Sequence, residues 1–344
     1  MTDRFDAPLS VAVLHGGPSS EHDISVVTSR GVLGALRGAG HRADAVWVDR
    51  QGRWHLGGAE TPAGQAVDAP LPLPEALAAL RDRGYDACFL GFHGTFGEDG
   101  RVQAALELAG LRYTGSGPLA SGVAMDKVTA RRIYSAVGLP VAAGVELQSD
   151  ALADAAARVA AADRIEAELG LPCVVKVTAG GSSVGVEIPR TRADLEGALD
   201  RLREQWPTLL AERFVSGVEL TCGVLEGPEG AEAMPCVEIA PRGDRFFDYE
   251  TKYDPGLVDE IVPARIPAAA EQELRRLAVA AHHALGCRGV SRTDAILATD
   301  GRLVLLETNT LPGLTPASLL PKAAAAAGLD YPSLLERILA RAIA

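Results

Sequence analysis

Apolar residues fall into short runs that stop at glycine-rich loops, and amphipathic stretches follow most of those loops. Val11–Leu14 (VAVL) reads as a short buried strand, and His15–Asp23 (HGGPSSEHD) as the loop after it. A helix is predicted from about Ile24 to Leu36, ended by Gly38 and Gly40. Residues 43–56 predict a strand pair turning at Arg50–Arg53, and 58–74, rich in Pro, Gly and Ala, predict surface loop. Tyr85–Phe92 predicts another strand, ending in the loop His93–Gly100 (HGTFGEDG) before a helix from Arg101 to Ala109. Two strand–loop–helix units in succession predict a parallel sheet with ligands at the strand C-termini, where His93 stands. Glu21 is the carboxylate nearest the first helix, where an acid complements the helix dipole.

The second half changes character. Thr114–Pro118 (TGSGP) marks a domain boundary, and the helix after it carries Met125-Asp126-Lys127. Another helix is predicted over 150–169. Leu171–Val177 and Val184–Ile188 predict two strands joined by a Gly/Ser loop, with Val174, Lys176 and Thr178 on one face. Such a loop can close over phosphates through N–H and hydroxyl donors, with the lysine as counter-charge. Leu209–Val215 predicts a strand that ends at Ser216-Gly217, and another begins at Glu219. Phe246–Gly256 carries too many charges and aromatics for a buried strand and predicts a long functional loop. Pro267–Gly286 predicts an amphipathic helix leading into the last hairpin.

That hairpin carries the densest chemistry. Gly289–Ala298 and the strand starting at Leu303 flank Asp300-Gly301, a two-residue type I′ turn signal. Such a turn sets Asp294 opposite Glu307 and Arg292 opposite Asn309, with all four side chains on one face. Opposed Cβ atoms are roughly 4.5–5.5 Å apart, so the two carboxylates repel unless a cation or a proton sits between them. Oxygen donors of this kind suit Mg²⁺, and the arginine suits an anion sharing the site.

Composition narrows the classes. At 344 residues the chain has room for two or three domains; 47% hydrophobic and 23% charged residues place it among globular proteins. A net charge of −12 argues against a nucleic-acid surface but leaves room for a nucleotide held by a few lysines. Five scattered cysteines without a CxxC pair predict reduced thiols rather than a disulfide frame or a zinc site. The polar start of the chain is not that of a signal peptide, and no apolar run reaches membrane-span length.

In order along nearly the whole chain, the motifs HGGPSSEHDIS, FHGTFGEDG, YTGSG with MDK, VVKVTAGGSSVGV, AERFVSG, FFDYETKY, GVSRTDAIL and LLETNTLPGLTPASLLP resemble those of the D-alanine–D-alanine ligase family of the ATP-grasp superfamily. Each is weak alone; the ordered set is specific. The resemblance implies an α/β, three-domain ATP-grasp fold: an N-terminal Rossmann-like parallel-sheet domain (1–115), a central domain with the glycine/serine loop (116–216) and a C-terminal domain with the metal and oxyanion site (217–344). It implies a cytoplasmic homodimer, with no nucleic-acid or membrane partner, that joins two D-alanines through an acyl phosphate for peptidoglycan, using ATP and Mg²⁺, with Mn²⁺ able to substitute.

The resemblance also distributes roles. Glu21 matches the residue that holds the first D-alanine's ammonium, in a network with Ser182 and Tyr253. Lys127, Lys176 and Ser183 match phosphate contacts, and Lys252 the lid lysine. Glu212, Val215, Glu219 and Phe246 match the adenosine site. Asp294, Glu307 and Asn309 match the metal ligands, and Arg292 with the Gly313 backbone the oxyanion stabilisers. His93 is assigned to substrate, and Ser318 and Leu319 to the second D-alanine's carboxylate. Val177 stands where the family usually has proline, and the loop before GSSVG reads Ala179-Gly180. Tyr253 stands where ester-forming relatives carry histidine, so D-alanine rather than D-lactate is the expected second substrate. The alternative is a related ligase with D-lactate or D-serine as second substrate, or one with a specialised biosynthetic or antibiotic-resistance role. A nucleotide-binding regulator without chemistry is a different class, disfavoured by the intact Arg292, Asp294, Glu307 and Asn309.

Overall fold

The run that starts the chain's order is β1 (Ser10–Gly16), whose residues from Val11 onward are all buried. The computed structural model describes residues 5, 7–56, 69–180, 185–241 and 258–344. Ser182, Ser183, Phe246, Lys252 and Tyr253 lie outside the described residues, as does the whole of the expected loop Phe246–Gly256. β1 pairs in parallel with β2 (Arg42–Val48) and β4 (Ala87–Leu90), and β3 (Trp54–Leu56) adds antiparallel to β2. Helices α1 (His22–Gly38), α2 (Leu73–Asp82) and α3 (Arg101–Leu108) supply the connections. The predicted parallel sheet is therefore present. Helix α2 begins inside the stretch expected to be loop.

Helices α4 (Pro118–Met125) and α5 (Lys127–Ala136) follow, with Asp126 capping α5 by accepting from Thr129 N at 2.7 Å. The second sheet holds β5 (Gly144–Gln148), β6 (Cys173–Val177), β7 (Val186–Glu187) and β8 (Thr208–Arg213), in the order β5-β8-β6-β7 and antiparallel throughout. One face packs Val145, Val175, Val177 and Leu209 against α6 (Ala155–Leu169) and α7 (Arg192–Arg203). Alternation along β6 turns Val174 and Lys176 to the other face, as expected. Helix α6 starts at Ala155 rather than near 150, because Asp154 caps it through Ala157 N.

The third sheet is antiparallel, in the order β12-β11-β9-β13-β14: β9 (Gly217–Gly227), β11 (Val237–Pro241), β12 (Val258–Ile261), β13 (Val290–Ala298) and β14 (Leu303–Asn309), with β10 (Gly230–Ala233) on β9. One face, through Leu220, Cys222 and Ala295, packs on α4, α5 and α8 (Ala268–Ala284). The other, through Leu225, Val237 and Val290, packs with α1, α9 (Leu319–Ala326) and α10 (Tyr331–Ile343). Helices α4 and α5 thus bury against the third sheet, although they precede the second in sequence.

The last hairpin departs from expectation at its tip. Ala298 N–H donates to Arg302 O (2.8 Å) and Gly301 N–H to Ala298 O (2.9 Å), which makes a three-residue connection, Thr299–Gly301. Gly301 alone there has positive φ, at 86°; a type I′ turn would force Asp300 into the same costly region. Near the tip Leu297 pairs with Leu303 and Ala295 with Leu305. A bulge at Leu306 then shifts the register, so that Asp294 faces Glu307 and Arg292 faces Asn309. The functional pairs are those expected, reached through a different turn.

Candidate active site

A cavity of about 450 Å³ opens between the second and third sheets. Val174, Val186, Ile239, Ile296 and Leu306 supply apolar walls, suited to a flat ring. Glu212, Val215 and Glu219 line it, as do Lys127, Lys176, Arg292, Asp294 and Glu307. Adjacent strand residues normally face opposite sides, yet Leu306 and Glu307 both line this cavity; the bulge permits it. Lys176 Nζ lies 2.5 Å from Glu212 Oε2, and both side chains are buried. Arg131 Nε approaches Glu212 Oε1 at 3.5 Å.

At its far end the cavity meets a smaller one lined by Glu21, Glu98, Met125, Lys127, Arg292, Glu307 and Asn309. Glu21 and Glu98 come from the loops after β1 and β4. Ser25 joins those loops, accepting from Gly16 N (2.8 Å) and donating to Gly91 O (2.7 Å). Gly94, at φ 72°, lets them meet: a Cβ there would lie 2.5 Å from Ser19 Oγ and 3.1 Å from Glu21 Oε1.

The hairpin side chains are already engaged. Arg292 Nε and Nη2 donate to Asp294 Oδ1 and Oδ2 at 2.9 and 2.8 Å, and Thr221 Oγ1 donates to Oδ1 at 2.6 Å. Burial works against the Arg292 charge, but Asp294, and further off Glu307 and Glu98, outweigh it and hold the guanidinium above its ordinary range. Lys127 Nζ lies 3.1 Å from Glu307 Oε2 and donates to Gly180 O at 2.8 Å. Asn309 Oδ1 accepts from Leu311 N at 2.8 Å. Arg292 therefore pairs with a carboxylate of its own strand, where the sequence suggested an anion partner. Among the described residues, seven carboxylates and four Lys or Arg cations line the two cavities. That excess of negative charge calls for a bound cation to accompany any phosphate held there.

Comparison with known proteins gives the family. The family model described as D-ala D-ala ligase N-terminus matches residues 10–116, and that described as D-ala D-ala ligase C-terminus matches 133–340. A D-alanine–D-alanine ligase of Anaeromyxobacter sp. (strain Fw109-5) is 43% identical over 329 residues, covering 96% of this chain and 95% of the relative. The enzyme of the same name from Desulforudis audaxviator is 38% identical, covering 95% and 96%. The solved D-alanine–D-alanine ligase of Coxiella burnetii superposes with a TM-score of 0.79 at 25% identity, covering 98% of this chain and 94% of that one. The chain belongs to the D-alanine–D-alanine ligase family. Its α/β architecture is the ATP-grasp fold of that family, which is ATP-dependent.

Against the family's expected roles, the structure gathers Lys127, Lys176, Glu212, Val215, Glu219, Arg292, Asp294, Glu307 and Leu319 around the larger cavity. Glu21 and Asn309 line the smaller one. Glu21 precedes α1 without capping it through its side chain. Gly313 and Ser318 lie side by side: a Cβ on Gly313 would sit 2.9 Å from Ser318 Oγ, which accepts from Thr315 N at 3.1 Å. Neither lines the two cavities. His93 is buried behind Glu98, its Nε2 2.8 Å from Thr28 Oγ1 and its Nδ1 3.6 Å from Glu98 Oε1. Glu98, which no sequence argument singled out, reaches the cavity instead; its only signal was membership of the FHGTFGEDG motif.

Proposed function

We propose that this protein joins two D-alanines at the expense of ATP, giving D-alanyl-D-alanine, ADP and phosphate. The observation that carries this reading is the junction of an apolar, lysine-flanked slot with a small acidic cavity at Lys127, Arg292 and Glu307. The slot suits a nucleotide, and the acidic cavity suits an amino acid's ammonium beside Glu21. A carboxylate oxygen of the first D-alanine attacks the γ-phosphorus and ADP leaves, giving an acyl phosphate. The second D-alanine, its amine deprotonated, attacks the acyl carbon and phosphate leaves. Lys127 and Lys176 bind phosphate oxygens, while Arg292 and the Gly313 N–H face the oxyanion of the second step. Ser318 and Leu319 receive the second carboxylate, and Glu212, Val215 and Glu219 the adenosine.

Asp294, Glu307 and Asn309 offer two carboxylates and a carboxamide, an all-oxygen set that suits Mg²⁺, or Mn²⁺ in its place. Bound there, the cation would neutralise charge on the transferred phosphoryl group. The three sheets support the division at about 115 and 216, with α4 and α5 packing across it. We further propose a cytoplasmic homodimer; among the described residues no helix is long and apolar enough to cross a membrane. The test is ADP release with and without D-alanine, followed by equimolar D-alanine and D-lactate at pH 8. Release that depends on D-alanine, with dipeptide the main product, is expected. Release without D-alanine dependence overturns the ligase reading, and predominant alanyl-lactate overturns the assignment of the second substrate.

A further inference from the structure

One stretch of chain, 127–141, grips the hairpin that carries Asp294, Glu307 and Asn309. β14 ends its sheet, so one side of its backbone needs partners from elsewhere. Leu305 N–H donates to Pro140 O at 2.8 Å, and Val141 bridges to Leu305 in parallel. Two helical turns after Lys127, Tyr134 reaches the same strand, and its hydroxyl donates to Thr308 Oγ1 at 2.6 Å. Thr308 Oγ1 lies 2.9 Å from Thr293 Oγ1 on β13. All three side chains are buried, Tyr134 at 1% exposure and Thr293 at 0%.

The placement of the two threonines gives the contact its meaning. Thr308 stands between Glu307 and Asn309, and Thr293 between Arg292 and Asp294. Alternation turns their side chains to the face opposite the oxygen donors, toward Tyr134, although Thr308 as a residue also borders the smaller cavity. Two residues before Thr308, the bulge at Leu306 breaks the ladder. A bulge disrupts the ladder locally and increases the twist, and although pairing resumes from Asp294–Glu307 to Arg292–Asn309, a second constraint helps to fix the direction of Glu307 and Asn309. A buried hydroxyl chain supplies one. Burial keeps the Tyr134 phenol protonated well above its usual range, so it remains a donor.

We propose that Tyr134, Thr308 and Thr293 form a hydroxyl clamp that positions Asp294, Glu307 and Asn309 for a divalent cation. They are positioning residues, acting through the strands. The proposal rests on the metal assignment made above. Its test is Mn²⁺ binding to the full chain in the presence of ADP, read by the electron paramagnetic resonance of free Mn²⁺, with thermal unfolding alongside. Tyr134→Phe and Thr308→Val each weaken Mn²⁺ binding by roughly tenfold, the range seen when outer partners of metal ligands are removed. Thr308→Ser, which restores a hydroxyl, binds within about twofold of the unmodified protein. A merely structural role would lower the unfolding temperature without this pattern. Unchanged Mn²⁺ affinity in both Tyr134→Phe and Thr308→Val overturns the clamp; should Tyr134→Phe not fold, the Thr308→Val and Thr308→Ser pair decides alone. Asp294→Asn tests the metal assignment separately: if it binds Mn²⁺ as the unmodified protein does, that assignment fails and the clamp falls with it.

Discussion

Arg292→Lys keeps a positive charge and should still cripple the enzyme. The guanidinium spans both oxygens of Asp294 at 2.9 and 2.8 Å, with its side chain 9% exposed. An ammonium cannot reproduce that planar fork. Lysine therefore forfeits one of two charge-assisted hydrogen bonds, each worth about 1.5–3 kcal/mol, and leaves Asp294 less firmly held. Of five guanidinium N–H donors, two serve Asp294 and three remain for an anion. Losing one oxyanion donor typically costs ~10²–10³ in rate, so kcat for D-alanine-dependent ADP release should fall at least ~100-fold. The assay is a coupled ADP measurement at saturating ATP and D-alanine, with thermal unfolding as a check on folding. A kcat within about fivefold of the unmodified enzyme would mean that Arg292 only braces Asp294 and faces no oxyanion.

Glu307→Gln removes one of two opposed carboxylates and frees Lys127 of its 3.1 Å partner; ligation should be abolished while circular dichroism shows the fold intact, and normal turnover at low millimolar Mg²⁺ would refute the role. Gly94→Ala forces a Cβ against Ser19 and Glu21 at a left-handed φ; stability should fall by ~1–2 kcal/mol, with KM for D-alanine raised and KM for ATP unmoved, as steady-state kinetics will show. Acid stability reports His282 and Glu226. Burial lowers the His282 pKa from 6.5, against the pull of Glu226, so the unfolded chain takes up the proton first and stability falls as pH drops below about 6.5. Glu226 is raised by burial but lowered overall by the Gly289 N–H and Arg341, so its contribution is lost as pH falls through 4.5 and below. Thermal unfolding between about pH 8 and 3 should show both losses, and His282→Gln should flatten the upper one; an unchanged slope there would contradict the assignment.

The pairing of Asp294 with Glu307 was legible because alternation and a turn signal confine a hairpin to few registers. It came out right through two offsetting irregularities: the turn is one residue longer than Asp-Gly implies, and Leu306 adds one residue back. Neither follows from local pattern. The pairing of Arg292 with Asp294 was hidden for another reason, since sharing a face leaves the side-chain rotamers open. Glu98 and Tyr134 escaped notice because their importance lies in packing between distant segments, through Ser25 in one case and the edge of β14 in the other. The first two residues of α2 fell in the stretch 58–74, read as loop for its Pro, Gly and Ala content; Pro72 and Pro74 stand at the helix start, which a first helical turn accommodates.

Isotope transfer from the substrate carboxylate tests the central claim most directly. D-alanine labelled with ¹⁸O in both carboxylate oxygens is incubated with the enzyme, ATP and Mg²⁺, and dipeptide and phosphate are analysed by mass spectrometry. An acyl phosphate requires one labelled oxygen to leave with phosphate for each peptide bond formed. The expected result is D-alanyl-D-alanine and singly labelled phosphate in equal amounts. Unlabelled phosphate, with or without dipeptide, would contradict activation of the carboxylate by phosphoryl transfer.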